Sequence, residues 1–290
     1  MIQLIVQALV SGVLVGGVYA LIALGIALTF GTMRIINLAH GELVLLAAYM
    51  AFVVEGRFGV NPYAAIPLAL LVTGALATAV YFLLNRIREH RELNSLIFTF
   101  AVGVIITNAI VLTWSSDVRS TNSAALQDSV SFGGVYAMVG EVAAFALSVA
   151  LAGVLWLWLK RSWYGRAVRA VSSNRAAAKL MGVNPTRTEL VAFLVSAALA
   201  SFAGVALYSM SVVYPPLGHA LTVKGFIITV LAGVGSIPGV LLAAILLGVT
   251  EALTVTFASS ALQELAGMVL FLVVLFVLPN GLFGAVRRRG

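Results

Sequence analysis

The residues of this 290-residue chain that could do chemistry are few, and several of them interrupt apolar runs. Arg34, Asn37, His40 and Glu42 lie within nine residues of one another, and Glu251 lies deep in a late apolar segment. Ionisable groups in apolar segments are costly, and they usually face a protein interior or a water-filled path. The chemistry that these residue types support is hydrogen bonding, ion pairing or proton exchange along such a path.

Two interpretations of this group stay open. In the first, residues 37–42 form an unwound segment that lines a translocation path, as in discontinuous transporter helices whose free backbone groups meet the solute. The path residues would then be Asn37, His40, Gly41, Glu42 and Glu251. In the second, Arg34 and Glu42 form a structural ion pair, His40 is a packing residue, and Glu251 makes an interhelical hydrogen bond.

Other chemistries find no support in the sequence. His40, His90 and His219 are scattered without the spacing of metal ligands, and the chain has no cysteine. A lone histidine beside an apolar break does not predict a Ser-His-Asp hydrolase. The chain also lacks a Gly-x-x-x-x-Gly-Lys-Ser/Thr segment, which would cradle phosphates. We therefore expect neither an enzyme nor a resident metal or cofactor, and any ATP hydrolysis would require another chain.

Composition defines the fold class in which these residues are held. The chain is 62% hydrophobic and 9% charged, with a mean hydropathy of +1.10. Soluble domains are about 45–50% apolar and about 25% charged. These values exclude a soluble enzyme, a disordered tail or a nucleic-acid-binding module, despite a net charge of +7. They predict an all-α polytopic membrane protein, a single transmembrane domain over residues 1–290 with about eight to ten transmembrane helices.

Nine apolar segments divide the chain, and the first is interpreted as a span rather than a removable signal peptide. They are Ile2–Phe30, Gly41–Val54, Tyr63–Leu84, Leu93–Trp114, Glu141–Leu159, Leu190–Met210, Leu221–Val234, Val240–Phe257 and Leu265–Leu278. Two of them, Gly41–Val54 and Leu221–Val234, are short for a full crossing. Each lies beside a polar or glycine-rich break, at residues 37–41 and 233–239 respectively.

The basic residues fall mainly on one set of loops. Thirteen of the 17 lysines and arginines lie at residues 86–91, 160–187 and 287–289, whereas the alternating loops hold Arg57, Arg119 and Lys224. Because basic loops face the cytoplasm, we expect residues 160–187 and the C-terminus inside and the N-terminus outside. The N- and C-termini on opposite sides are consistent with nine crossings.

The segment 160–189 has the local signals of structure rather than of a flexible tether. Ser172 or Ser173 is a good N-cap for a helix over Arg175–Met181, and Gly182 suits the C′ position. The spacing of Thr186 and Glu189 predicts a capping box that opens the next span. We expect two short helices with a turn at Ser172–Ser173. Such a rigid element could transmit displacement from a soluble motor, although a basic loop with incidental helicity is an equal alternative.

The same segment carries a family resemblance. The runs Gly165-Arg-Ala-Val-Arg-Ala and Ala176-Ala-Ala-Lys-Leu-Met-Gly-Val-Asn resemble the coupling loop of branched-chain amino acid ABC transporter permeases of the LivH type. Residues 16–25, Asn37-Leu-Ala-His-Gly-Glu42 and Leu231-Ala-Gly-Val-Gly-Ser-Ile-Pro-Gly239 resemble this family as well. The resemblance covers nearly the whole chain in order.

The resemblance implies a multi-pass permease of the bacterial plasma membrane that works by alternating access. Its implied partners are a second, related permease, two cytoplasmic ATPases that bind ATP and Mg, and an external substrate-binding protein. The residues that it assigns to ATPase coupling are Gly165, Arg166, Arg169, Ala170, Asn174, Ala177 and Gly182, with Arg166 and Arg169 expected to meet the ATPase surface. Branched-chain amino acids are the implied substrates. Urea or short amides, and an ion-coupled secondary transporter, remain the alternatives.

Overall fold

Twelve α-helices and one β-hairpin form the parts of the chain that the computed structural model describes, residues 1–87, 90–233, 236–278 and 281–282. The helices are α1 (Ile2–Met33), α2 (His40–Phe58), α3 (Ile66–Leu84), α4 (Arg91–Trp114), α5 (Ala124–Gln127), α6 (Val139–Arg161), α7 (Trp163–Ser173), α8 (Arg175–Leu180), α9 (Pro185–Met210), α10 (Leu217–Ala232), α11 (Ile237–Phe257) and α12 (Gln263–Val277). Strands β1 (Ser129–Phe132) and β2 (Val135–Met138) pair antiparallel around Gly133 and Gly134, whose φ angles are both positive. The predictions for Arg88 and Arg287–Arg289, and part of the glycine-rich break at 233–239, lie outside the described residues.

The prediction of an all-α polytopic protein with two short segments is confirmed. Within the described ranges, seven stretches are long and apolar enough to cross a membrane, and they contain α1, α3, α4, α6, α9, α11 and α12. Helix α10 has only 16 residues. Helix α2 has 19 residues but includes Glu42, Glu55 and Arg57. These nine helices correspond one to one with the nine apolar segments of the sequence.

Helix α2 extends beyond the predicted end at Val54, because the next residue finds partners. The carboxylate of Glu55 is buried, and it accepts hydrogen bonds from the hydroxyls of Tyr208 at 2.5 Å and Thr121 at 2.7 Å. Gly59, with φ of 62°, then ends the helix. Glu55, whose charge indicates the start of a loop, is therefore buried and connects α2 to α9 and to the loop before β1.

The bundle has two ends with different loops. We call one of them the basic end. It contains α7 and α8, the last residues of α1, α3 and α6, and the first residues of α4, α9 and α11. At the other, which we call the hairpin end, the β-hairpin contacts the start of α1, since the Gln7 side chain exchanges hydrogen bonds with the backbone of Tyr136. Here also Arg119 and Val213 exchange backbone hydrogen bonds between two loops.

Helix α1 lies at the centre of the bundle. Of its most apolar 18 residues, 78% are buried, against 22% for α4 and α6 and 6% for α12. Glycine lets α11 approach it closely: a β-carbon at Gly12 would lie 2.5 Å from Cα of Val249, and one at Gly16 would lie 2.8 Å from Cα of Ile245. Since carbon atoms in contact are about 3.5–4.0 Å apart, only glycine fits at either position. Small residues at helix interfaces are how membrane helices gain packing without a hydrophobic driving force.

Candidate functional site

The element that we call the coupling unit, residues 162–184 with α7 and α8, is built as a rigid structure at the basic end. The Ser162 hydroxyl caps α7 by accepting the Gly165 N–H at 2.8 Å. Gly165 then packs on the last turn of α6, where a β-carbon would lie 2.5 Å from Cα of Leu159. Arg166 donates to the carbonyl of Arg161 at 3.0 Å, and Arg169 donates to the carbonyl of Leu159.

These two arginines were expected to meet the ATPase surface. Both are exposed, but in this chain their guanidinium groups bind carbonyls that the end of α6 leaves without helical partners. They complete the C-terminus of α6 in the way expected of cations there. Ala170 lies on the same exposed side of α7, whereas Gly165, Ala167, Val168 and Val171 are buried. Helix α7 therefore has one face against the bundle and one face free.

The turn between the two short helices differs by one residue from the prediction. Asn174, rather than Ser172 or Ser173, caps α8, since its side-chain oxygen accepts the N–H groups of Ala176 and Ala177, each at 3.0 Å. The Ser172 hydroxyl instead donates to the carbonyl of Gly31 at 2.6 Å, which joins α7 to the end of α1. The prediction of two short helices in this segment is otherwise correct.

Gly182 takes the predicted C′ position after α8, one residue beyond the C-cap Met181. Gly182 has a φ of 83°, and its N–H donates to the carbonyl of Lys179. The N–H of Val183 donates to the carbonyl of Ala178, which completes a Schellman motif. The end of α8 requires a residue in the left-handed conformation, and this local requirement explains why position 182 is a glycine.

The predicted capping box at Thr186 and Glu189 is wrong. Asn184 caps α9 instead, by accepting the Arg187 N–H at 3.2 Å. The buried carboxylate of Glu189 forms ion pairs with Arg175 of α8 at 2.7 Å and with Arg91 of α4 at 3.4 Å. The spacing of Thr186 and Glu189 could not predict these ion pairs, because neither arginine is close to Glu189 in sequence. Glu189 thereby links the coupling unit to two spans.

The free face of the coupling unit is apolar at both of its ends. Trp163 and Tyr164 at the start of α7, and Leu180 and Met181 at the end of α8, are exposed, Leu180 to 89% and Met181 to 83%. Asn174 and Ala177 are exposed as well. A cavity of about 430 Å³ lies between α7 and the bundle. Its lining includes Leu28, Gly31, Leu159, Val168, Ser172 and Ile237.

The break between α1 and α2 covers residues 34–39, so it begins before the predicted segment and ends within it. Asn37 is buried, and its side-chain oxygen accepts the Ala39 N–H at 3.1 Å, which satisfies a backbone group freed by the break. Arg34 is exposed and left-handed, with φ of 54°. Among the described residues it forms no ion pair with Glu42, so the structural pair expected for these two is not found.

The first turn of α2 holds three more of the five predicted path residues, His40, Gly41 and Glu42, which are helical rather than unwound. His40 is fully buried beside Gly25, and Nδ1 lies 3.5 Å from the hydroxyl of Ser196. The Gly41 N–H donates to the Thr222 hydroxyl of α10 at 2.8 Å. Glu42 is buried, and one carboxylate oxygen lies 3.4 Å from the same hydroxyl. The N-termini of the two short helices therefore meet at Thr222.

Glu251 lies elsewhere, on the other side of α10, in a network that the sequence did not predict. One oxygen of its carboxylate accepts from Lys224 Nζ at 2.8 Å, from the Tyr19 hydroxyl at 3.0 Å and from Gln263 Nε2 at 2.8 Å. Lys224 was counted among loop residues, but it lies within α10 with only 14% of its side chain exposed. It also donates to the Tyr19 hydroxyl at 3.0 Å. The expected hydrogen bonding of Glu251 is confirmed, with an ion pair added.

The five predicted path residues are thus divided between two places. Asn37, His40, Gly41 and Glu42 lie at the α2–α10 contact, and Glu251 lines a separate cavity between α10, α11 and α12. Helix α10 connects the two places through Thr222 on one face and Lys224 on another. Sequence reasoning did not single out four residues at these two places: Tyr19, which lies in the family-like run 16–25, and Thr222, Lys224 and Gln263, which belong to no motif. Only Lys224 had a signal, as a charge within an apolar run.

Comparisons with known proteins agree with this architecture. The family described as "Branched-chain amino acid transport system / permease component" matches residues 8–278. The permease protein BraD of the high-affinity branched-chain amino acid transport system of Pseudomonas aeruginosa is 30% identical over 292 residues, which cover 96% of this chain and 95% of BraD. The corresponding protein LivH of Escherichia coli is 29% identical, over 96% of this chain and 95% of LivH.

A solved structure gives the fold alone. PsaBC from Streptococcus pneumoniae, in complex with Fab, aligns with a TM-score of 0.55 at 14% identity, over 94% of this chain and 91% of the other. The family match, by contrast, extends over all the spans and the coupling unit. This chain therefore belongs to the family of branched-chain amino acid transport system permease components.

Proposed function

We propose that this chain is the membrane-spanning permease subunit of an ATP-driven importer for branched-chain or related aliphatic amino acids. The observation that carries the proposal is the coupling unit. It is capped and packed throughout, it presents exposed apolar side chains to a partner, and it is linked to four spans. A loop with incidental helicity would have no reason to carry all three properties.

The contacts of the coupling unit determine which spans would move when an ATPase displaces it. Gly165 and the two arginines hold α7 to the end of α6, and Ser172 holds it to the end of α1. Glu189 holds α8 to α4 and α9. Displacement of the coupling unit would therefore move α1, α4, α6 and α9 together and change the cavity beneath α7. Alternating access requires such a coupling free energy between the motor and the path.

The proposed partners follow from the family. Two ATPases would bind at the basic end and supply the energy of ATP hydrolysis, with ATP and Mg held by those subunits. A second, related permease would complete the path within the bilayer, and an external binding protein would deliver the substrate at the hairpin end. Nucleic acid is not among the proposed partners.

The proposed orientation places the basic end and the C-terminus in the cytoplasm of a bacterial plasma membrane. With Lys224 held within α10, the basic residues left at the hairpin end among those predicted to be external are Arg57, in the last turn of α2, and Arg119, which is paired with Asp117 at 3.2 Å. The asymmetry of basic residues is therefore stronger than the loop count indicated, which supports this orientation.

One observation favours a second candidate, an ion-coupled secondary transporter. The Lys224–Glu251 pair within the spans is the type of group that such transporters use. Uptake measurements separate the candidates. The chain would be purified in mild detergent with its co-purifying subunits, reconstituted in proteoliposomes with the external binding protein supplied outside, and tested for uptake of radiolabelled L-leucine.

We expect uptake that requires enclosed MgATP and survives ionophores that collapse ion gradients. Uptake on an ion gradient without ATPase subunits would overturn the proposal in favour of the second candidate. Competition by urea or acetamide in place of valine and isoleucine would instead assign the permease to short amides.

The docking face has its own test. Leu180→Asp places a charge on the exposed apolar end of α8 and should abolish co-purification of the ATPases. Val118→Asp is the matched control, since Val118 is an apolar residue with 61% exposure in a loop at the hairpin end. Equal recovery of ATPases with both variants would exclude this face as their docking site.

A further inference from the structure

The cavity between α10, α11 and α12 has a largely buried charged pair at one wall, apolar groups around it and polar side chains towards the hairpin end. Its volume is about 340 Å³, at the lower end of the range of roughly 300–1,000 Å³ for small-molecule sites. Lys224 and Glu251 supply the charged wall. The apolar lining includes Ala220, Val223, Ile227, Leu247 and Met268. The exposed side chains of His219 and Glu264 also line it, towards the hairpin end.

The charged wall has unused hydrogen-bonding capacity. All three contacts of the Glu251 carboxylate reach the same oxygen, Oε2, and among the described residues Oε1 accepts no hydrogen bond. The Lys224 ammonium has three N–H donors but only two acceptors within the described chain, Tyr19 and Glu251. One acceptor oxygen of Glu251 and one donor hydrogen of Lys224 are therefore left over, on two residues that line the cavity.

Burying such a pair costs free energy that packing alone would not require. Replacing a buried ion pair with apolar residues of similar volume is often neutral or stabilising. The Lys224–Glu251 pair is 14% and 3% exposed at its two side chains, and it faces a cavity rather than filling one. Charges that are held in place and only partly saturated are what a site needs in order to recognise a ligand that carries both signs.

We infer that this cavity binds the zwitterion of an aliphatic α-amino acid. The ligand's ammonium group donates to Oε1 of Glu251, its carboxylate accepts from Lys224 Nζ, and its side chain lies against Val223, Ile227 and Met268. The inference rests on the proposed function and names the substrate site within it. It also explains why the two charges coexist, since a zwitterion adds one charge of each sign and leaves the net charge of the site unchanged.

Direct binding tests the inference separately from transport. The full-length chain, purified with its co-purifying subunits, would be titrated with tritiated L-leucine in the absence of ATP. Competition by 3-methylbutylamine, which lacks the carboxylate, and by 4-methylpentanoate, which lacks the ammonium group, measures the contribution of each charge. For the wild type we expect both analogues to compete at least about tenfold more weakly than leucine, since each loses a charge-assisted hydrogen bond.

Two variants should change the relative affinities of leucine and its two analogues in opposite ways. Lys224→Met removes the partner of the carboxylate, so 3-methylbutylamine should then compete as well as leucine. Glu251→Gln removes the partner of the ammonium group, so 4-methylpentanoate should then compete as well as leucine. A merely structural ion pair would lower the affinity for all three compounds together and leave their order unchanged.

A third variant leaves the ion pair intact. Val223→Phe fills the apolar part of the cavity and should weaken leucine binding at least about tenfold while alanine still binds, because the space for the longer side chain is lost. Leu242→Phe is its control, since Leu242 is 51% exposed on α11 outside the cavity. It should bind leucine as the wild type does.

Every outcome bears on the inference. If leucine binds and the variants change the relative affinities as expected, the inferred site is supported even when ATP-driven uptake is absent. In that case only the proposed function is refuted. The inference is overturned if the wild type binds no leucine. It is equally overturned if uptake proceeds normally while Lys224→Met, Glu251→Gln and Val223→Phe all bind leucine with wild-type affinity and order.

Discussion

Replacing Gly165 by alanine adds a single methyl group at the contact between α7 and the end of α6, and it tests whether this contact transmits the motion of the coupling unit. The new β-carbon would lie 2.5 Å from Cα of Leu159 and equally close to its carbonyl oxygen. Carbon atoms in contact are about 3.5–4.0 Å apart, so α7 must move by about 1 Å or more. This movement would weaken the bonds by which Arg166 and Arg169 hold the end of α6.

Two effects oppose each other in this substitution. Alanine improves helix propensity by roughly 0.5–1 kcal/mol over glycine, whereas overpacking costs roughly 1–3 kcal/mol. The clash is with backbone atoms that cannot rotate away, so the second effect should prevail. Gly153→Ala is the matched control, because Gly153 lies within α6 and, in the part of the chain that the structure describes, no atom beyond its own stretch of helix lies within 4 Å of its would-be β-carbon. That variant gains the propensity without the clash.

The measurement is the amount of leucine taken up per ATP hydrolysed, in proteoliposomes that contain the complete transporter. The net cost of about 0.5–2 kcal/mol, taken from the coupling free energy, corresponds to a fall of roughly 2- to 30-fold, so Gly165→Ala should lose at least about twofold while Gly153→Ala stays at the wild-type value. Thermal unfolding in detergent would confirm that both variants are folded. If the two variants transport equally per ATP, the α6–α7 contact does not carry the coupling.

Four shorter predictions concern other positions. Gly182→Val should reduce uptake several-fold at normal expression, because a β-branched residue at φ of 83° costs roughly 1 kcal/mol or more; Gly182→Asn should be milder. Asn37→Leu should insert normally but transport poorly, since leucine cannot accept the backbone N–H that the break leaves free. Glu189→Gln should lower the unfolding temperature and ATP-dependent uptake together, because it removes the charge that holds two arginines. In this cysteine-free chain, Ser120→Cys should react with a membrane-impermeant thiol reagent in intact cells, and Ser173→Cys only after lysis.

The results that would contradict these predictions are equally direct. Full uptake by Gly182→Val would mean that the end of α8 need not be left-handed. Full uptake by Asn37→Leu at equal expression would mean that the Asn37 hydrogen bond in the break is not needed for transport. Unchanged stability of Glu189→Gln would mean that its two ion pairs do not stabilise the fold. Labelling of Ser173→Cys in intact cells would reverse the proposed orientation.

The spans and the end of α8 could be predicted from the sequence because their causes are local. An apolar run of sufficient length is a helix in a membrane whatever its neighbours are, since its backbone groups must pair internally. Gly182 follows a run of helix formers, and a left-handed terminus there is a matter of a few bonds within the same turn. No distant residue needs to be known for either inference.

The errors arose where a distant partner decides between local options. Ser172, Ser173 and Asn174 are all good caps, and the choice of Asn174 reflects a carbonyl at Gly31 that occupies Ser172. Glu189 has the spacing of a capping box, but Arg175 and Arg91 hold it, and neither is a helical neighbour. Lys224 follows the same pattern: the distribution of basic residues assigns it to an external loop, whereas its partner Glu251 on another helix holds it within α10.

The glycine contact between α1 and α11 has a consequence for how the protein is made. Gly12 and Gly248 pack together although more than two hundred residues separate them in the chain. At a synthesis rate of roughly 5–20 residues per second, α1 leaves the ribosome tens of seconds before its main partner exists. The central helix therefore enters the bilayer with its packing face still covered by lipid tails or by the insertion machinery. Its final contact is made late, so a substitution at Gly12 would disturb the completion of assembly rather than the insertion of the first span.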